Sequence, residues 1–212
     1  MQSDEWVYWE GEAEVTGNID LLGGIELDGT NIGGANADNI SVFVHTTSNI
    51  AATGQGSHIR MQGAKDVQVN GNTIAGGKIT EQGIDWTGED ASVKILAGET
   101  AVIDTAIIAT KDVEIESTEG DVIIAGGGAI TASGQTSDDT GSLVHIKATG
   151  DIQIPGQIIS GGSVKGGQFF WSDENSTIRI ESEKQAFIGG EVTDISGETT
   201  EAGGKLYANQ NH

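Results

Sequence analysis

The chain has no cysteine among its 212 residues. Disulfide staples, thiolate metal sites and cysteine nucleophiles are therefore excluded. It has a single proline, Pro155, beside 33 glycines that follow no every-third-residue period, so a collagen-like triple helix is excluded too. No apolar run approaches the length of a membrane-spanning helix. The opening MQSDEWVYWEGE lacks the basic start and apolar stretch of a secretory signal, and reads as part of a segment taken from a longer chain. Basic residues are scarce: 10 against 32 acidic ones, for a formal net charge of −22. Such a surface repels phosphate backbones and anionic lipid, so neither nucleic-acid binding nor membrane insertion is expected.

What the chain does contain is Ile, Val and Gly. β-branched residues favour strands, and so much glycine argues against long helices. Residues 142–164, SLVHIKATGDIQIPGQIISGGSV, align without a gap on 57–79, SHIRMQGAKDVQVNGNTIAGGKI. The offset is 85. It continues through Trp86 and Trp171, Val93 and Ile178, and Ile95 and Ile180. The reading is one domain, 1–212, with an internal repeat at 57–141 and 142–212 and a cap or junction at 1–14, where Trp6, Tyr8 and Trp9 cluster.

Shorter echoes of the repeat recur along the chain: IELDGTNIGG (25–34), GDVIIAGGGAITASG (120–134) and TIRIESEKQAFIGGEV (177–192). Each Val-x-Ile is a period-2 signal too short to stand alone. A unit that cannot bury its own apolar face needs neighbours above and below. The expected fold is all-β, a parallel β-helix solenoid. At about 20 residues per coil the length allows roughly ten coils, a rod on the order of 50 Å long at ~4.8 Å per rung. Val67, Val69, Ile74, Ile152, Ile154 and Ile159 are expected to point inward, and Gln68, Gln153, Glu114 and Lys147 to face water. Corner aspartates (Asp66, Asp112, Asp121 and Asp151) are expected to accept hydrogen bonds from nearby backbone N–H groups. Pro155 lacks a ladder N–H and is placed at a strand end.

Interruptions of the repeat hold the candidate functional residues. Trp86 precedes Glu89-Asp90, and Trp171 precedes Asp173-Glu174. Each group offers an aromatic face beside carboxylates, suited to ligand contact, although solvated turns explain the same residues. The loop TASGQTSDDTGS carries Asp138 and Asp139, weak candidates for a hard cation such as Ca²⁺. Otherwise no cofactor is expected. The four histidines follow no pattern, and neither HExxH nor GxSxG occurs. Recurring carboxylates suit corners better than a single catalytic pair, so an enzyme, such as a polysaccharide-active β-helix, ranks below a binding module or a structural rod.

The theme S-x-V-x-I-x-A-x-G-D-I-x-I-x-G-x-I-x-x-G-G, plainest at 142–164 and 57–79, resembles the repeats of filamentous haemagglutinin-type and leukotoxin-like bacterial adhesins. The resemblance implies a right-handed β-helical shaft, secreted or held at the cell surface. It also implies a role in attachment to host-cell or matrix glycan or protein, with adjoining coils of a longer chain as neighbours. It supplies no catalytic residue.

Overall fold

A computed structural model describes residues 1–3, 6–23, 40–126, 128–137, 141–165, 168–172, 175–193, 199–202 and 205–208. Every regular element in them is a β-strand. Three parallel seven-stranded sheets run the length of a β-helix, and each coil gives one strand to each sheet. The fourth coil shows the plan: Ser92–Ala97 enters the first sheet, Ala101–Ile103 the second and Ala106–Ala109 the third.

Among the described residues the stack therefore has seven coils rather than ten. The basic coil does take twenty residues, as from Val93 to its partner Val113. Excursions lengthen the others: Ile59 reaches Val93 after thirty-four residues, and Val113 reaches Val144 after thirty-one. The 85-residue period is the sum of three unequal coils. Seven rungs at ~4.8 Å spacing span about 30 Å.

Parallel, in-register pairing stacks like on like. Ile59, Val93, Val113 and Val144 form one interior column, all fully buried. Val44, Val69, Ile103, Ile124 and Ile154 form another at the same depth. At the amino-terminal end Trp9 occupies this second column opposite Val44 and packs on the core, with its indole N–H donating to the Gly11 carbonyl at 3.2 Å. Tyr8 points the other way and stacks on Phe43, with ring centres 5.6 Å apart.

Two inward assignments need correcting. Ile74 and Ile159 are buried but do not join the main core; their neighbours Thr73 and Ile158 occupy the inward column with Ile107 and Ile130. Strand alternation puts Ile74 and Ile159 on the outer face of the third sheet. Gln68 is also not in water: at 8% exposed it is buried beside Phe43 on the outside of the second sheet.

Corner side chains bind coils together. The Asp66, Asp112 and Asp121 carboxylates accept from the backbone N–H of Thr100 (2.8 Å), Leu143 (3.1 Å) and Asp151 (2.7 Å), each one coil further on. Pro155 directly follows the strand Ile152–Ile154, where no ladder N–H is needed.

The Gly-Gly pairs are departures, not corners. Gly76, Gly161 and Gly189 have φ of +83°, +82° and +84°. Each precedes an antiparallel hairpin: Gly77–Thr80 with Gly83–Trp86, Gly162–Lys165 with Gln168–Trp171, and Gly190–Thr193 with Thr199–Ala202. The left-handed backbone turns the chain out of the coil, a conformation that glycine adopts without penalty. The first two hairpins lie against the outer face of the third sheet, which explains how Ile74 is covered. The third hairpin ends the 85-residue correspondence, because the chain makes it before rejoining the third sheet at Lys205–Ala208.

The outer faces differ in chemistry. The first sheet carries charge ladders, with Lys94 on Glu114 (2.5 Å), Lys147 on Glu116 (2.7 Å) and His145 on Glu181 (3.3 Å). The second presents an uncharged outward row of Tyr8, Phe43, Gln68, Val102, Ile123, Gln153 and Phe187.

Candidate functional site: a polar cleft beside Trp86

The first hairpin closes on its own starting point. The Gly76 carbonyl accepts from the N–H of Thr87 and of Gly88, both at 2.9 Å, while the Gly76 N–H donates to Ala52 at 2.7 Å. Gly77 pairs with Trp86, and a Cβ at Gly77 would lie 3.2 Å from the indole ring. Glycine there leaves room for the tryptophan. The Thr87 hydroxyl donates to the Thr53 carbonyl at 2.7 Å, and the Gly56 N–H donates to the Glu89 carbonyl at 2.8 Å. These bonds press the end of the hairpin onto the corner that holds Gln55.

A second loop arrives from the fifth coil. Asp90, with φ +58°, donates its N–H to the Gln135 carbonyl at 3.1 Å. Its carboxylate accepts from the Ser137 N–H at 3.1 Å and from the Ser137 hydroxyl, and lies 3.6 Å from the Lys111 ammonium. Asp90 is therefore occupied in fastening this loop, and the backbone strain at a non-glycine left-handed residue is held by those bonds.

Together these segments enclose about 290 Å³ lined by Gln55, Trp86, Thr87, Gly88, Glu89 and Gln135. Trp86 is half-buried and Glu89 is exposed. Two amides, a hydroxyl and a carboxylate offer both donors and acceptors beside one aromatic side chain. That combination hydrogen-bonds hydroxyl groups and packs against an apolar ring face.

Of the expected contact residues, the fold brings Trp86 and Glu89 into one cleft and turns Asp90 to loop anchoring. The backbone of Trp171 takes the matching position in the second hairpin, opposite Gly162. Asp173 and Glu174 lie outside the described residues, as do Asp138 and Asp139. Sequence reasoning missed Gln55 and Gln135. Their signal was the pair of similar tripeptides Thr53-Gly54-Gln55 and Ser133-Gly134-Gln135, which follow equivalent strands of the third sheet. Comparison of the chain with known families, characterised proteins and solved structures gives no match.

Proposed function

We propose that this β-helix is a non-enzymatic shaft segment of a large secreted or cell-surface bacterial filamentous protein, acting in adhesion. The observation that carries this reading is the seventh coil. Ile188 sits where Val44, Val69, Ile103, Ile124 and Ile154 are fully buried, yet it is 47% exposed. Phe187 beside it is 48% exposed. An adjoining coil of the same plan would cover both and pair the open sheet edge. The test is the parent open reading frame together with surface proteolysis of intact cells. Further twenty-residue coils and a protease-accessible product are expected; a product with no further coil, or one confined inside the cell, overturns the reading.

A second reading, a glycan-binding module, is favoured by the Trp86 cleft alone. A glycan array read with the native chain and with Trp86→Ala and Glu89→Gln variants tests it. Binding that both variants lose supports it, and binding that neither alters rejects it.

A further inference from the structure

A second cleft opens where the first hairpin leans over the third sheet. It encloses about 130 Å³, on the scale of one six-membered ring. Its floor is a grid of outward residues from three stacked strands, Glu12–Val15, Asn49–Ala52 and Asn72–Ala75. One row is polar: Glu12, Asn49 and Asn72. The next row turns apolar at Ala51 and Ile74, beyond Glu14. Lys78 and Ile79 of the hairpin form the wall.

The charges are already partly spoken for. Lys78 donates to the Glu14 carboxylate at 2.9 Å, and that hydrogen bond, with the nearby negative charges of Glu14 and Asp85, holds the ammonium above the usual lysine range. Lys78 and Glu14 thus neutralise one another. Asn72 donates its amide to the Asn49 Oδ1 at 3.0 Å and accepts the Thr105 hydroxyl at 3.1 Å. Among the described residues the Glu12 carboxylate makes no ion pair, and the Asn49 amide nitrogen makes no hydrogen bond. A carboxylate acceptor and an amide donor stand side by side in a cleft whose exposed apolar side chain is Ile79.

The second hairpin supplies a comparison within the molecule. It covers the same grid three coils on, where Ala106, Ala129 and Gln157 replace Glu12, Asn49 and Asn72. Ile108 stands in the place of Glu14, and Ser163 in the place of Lys78. The scaffold recurs but the polar set does not. A structural need would be met at both hairpins; this constellation is met at one.

We propose that this cleft binds a protonated amino sugar. The ammonium pairs with Glu12, a ring hydroxyl accepts from the Asn49 amide, and the ring packs against Ile79 of the wall, which is 45% exposed, because Ala51 and Ile74 in the floor are already covered. The net charge of −22 draws a cation toward the site and repels sugars that carry a carboxylate. The site is separate from the Trp86 cleft and stands whether or not the chain is a shaft.

The test is titration of the ¹⁵N-labelled chain with glucosamine, glucose and N-acetylglucosamine, read on the Asn49 and Asn72 side-chain amide signals. Glucosamine is expected to shift both. Glu12→Gln, an exposed substitution in a strand that keeps its fold, should weaken the response at least about tenfold, the loss of a charge-assisted bond. Glu89→Gln in the other cleft should leave it unchanged. Added salt should weaken it as well. Equal responses to all three sugars, no response to glucosamine, or a response that Glu12→Gln leaves intact would each overturn the proposal.

Discussion

Gly76 decides where the chain leaves its coil. Its φ of +83° is strained for any residue with a side chain, and a Cβ there would overlap the Gly88 carbonyl and the Thr110 side chain. Thr110 is itself fully buried and accepts from the Ala91 N–H at 2.9 Å, so it has little room to move. Gly76→Ala should therefore cost at least about 2 kcal/mol, strain of about 1–3 kcal/mol being joined by the overlap. Gly17 has open space around the same added atom, and Gly17→Ala should stay within about 0.5 kcal/mol. Denaturant unfolding of the two variants checks this; equal losses would refute the argument. The corner aspartates teach a related lesson. Their type and place before a strand were legible in GDVII and KDVQV, because an acceptor at a bend has an obvious use; Asp151 in GDIQI instead donates its backbone N–H to Asp121. Their partner was not legible, since the N–H they cap belongs to the next coil and its distance in sequence depends on the excursion between.

At the scale of elements, the hairpins are additions to a twenty-residue coil. Removing residues 77–90 would join Gly76 to Ala91 as Thr110 joins Lys111 in the following coil, a connection the fold already uses. The β-rich far-ultraviolet signal and a single unfolding transition are expected to survive. Stability should fall by roughly 1.5–3 kcal/mol for uncovering Ile74, now 2% exposed. Loss of the β signal would mean that the hairpin is part of the stack. This modularity is why dividing the length by twenty overcounted coils: hairpin strands such as GKIT and GIDW have the same local pattern as coil strands. The phase error at Ile74 and Ile159 has a similar origin. In NTIA and QIIS the apolar residues fall on both faces, and a four-residue run cannot say which face looks inward once hairpins cover the outside. The charged face of the first sheet gives a pH prediction. Arg179 and His145 donate to Glu181 and hold its carboxyl below the ordinary value of 4.5, while Glu116 holds Lys147 above 10.5. A lowered acid stabilises above its unfolded value and loses that contribution as pH falls through the folded one; a raised lysine stabilises below its unfolded value and loses that contribution as pH rises through the folded one. The unfolding midpoint should be flat between these limits and decline outside them, by less in high salt because the pairs face water. Glu181→Gln should remove part of the acid limb; an unchanged limb would show that the pair carries no stability.

The whole molecule is a one-dimensional stack, so its stability is a sum of coils and of the contacts between neighbours. Its two ends are unlike. Trp9 fills the core column at one end, and Val7 beside it is only 2% exposed. At the other end Ile188 is bare and Ile178 and Ile180 are half-covered. The amino-terminal aromatics were legible as a departure from the repeat, but not that Gln2–Ser3, Val7–Trp9 and Glu12–Val15 give a strand to each sheet; the open end was not legible either, because AFIGG reads locally like any interior strand. Position in the stack, not residue type, separates Ile188 from Ile124. Truncating Ile124 leaves a cavity closed above and below and should cost about 2–5 kcal/mol. Truncating Ile188 removes a side chain that is half in water and has neighbours on one side, and should cost under about 1.5 kcal/mol. Hydrogen exchange should follow the same gradient. Amides of Ala186–Ile188 should open at low free energy, those of Ala101–Ile103 and Val122–Ile124 only near the global limit, and those of Val7–Trp9 in between. If instead a second copy or an added coil seats on the open end, protection of Ala186–Ile188 should rise with protein concentration or with the added segment, and the Ile188→Ala cost should climb toward that of Ile124→Ala. Uniform protection in dilute monomer, together with equal costs at the two isoleucines, would show that the seventh coil is closed and would remove the observation on which the shaft reading rests.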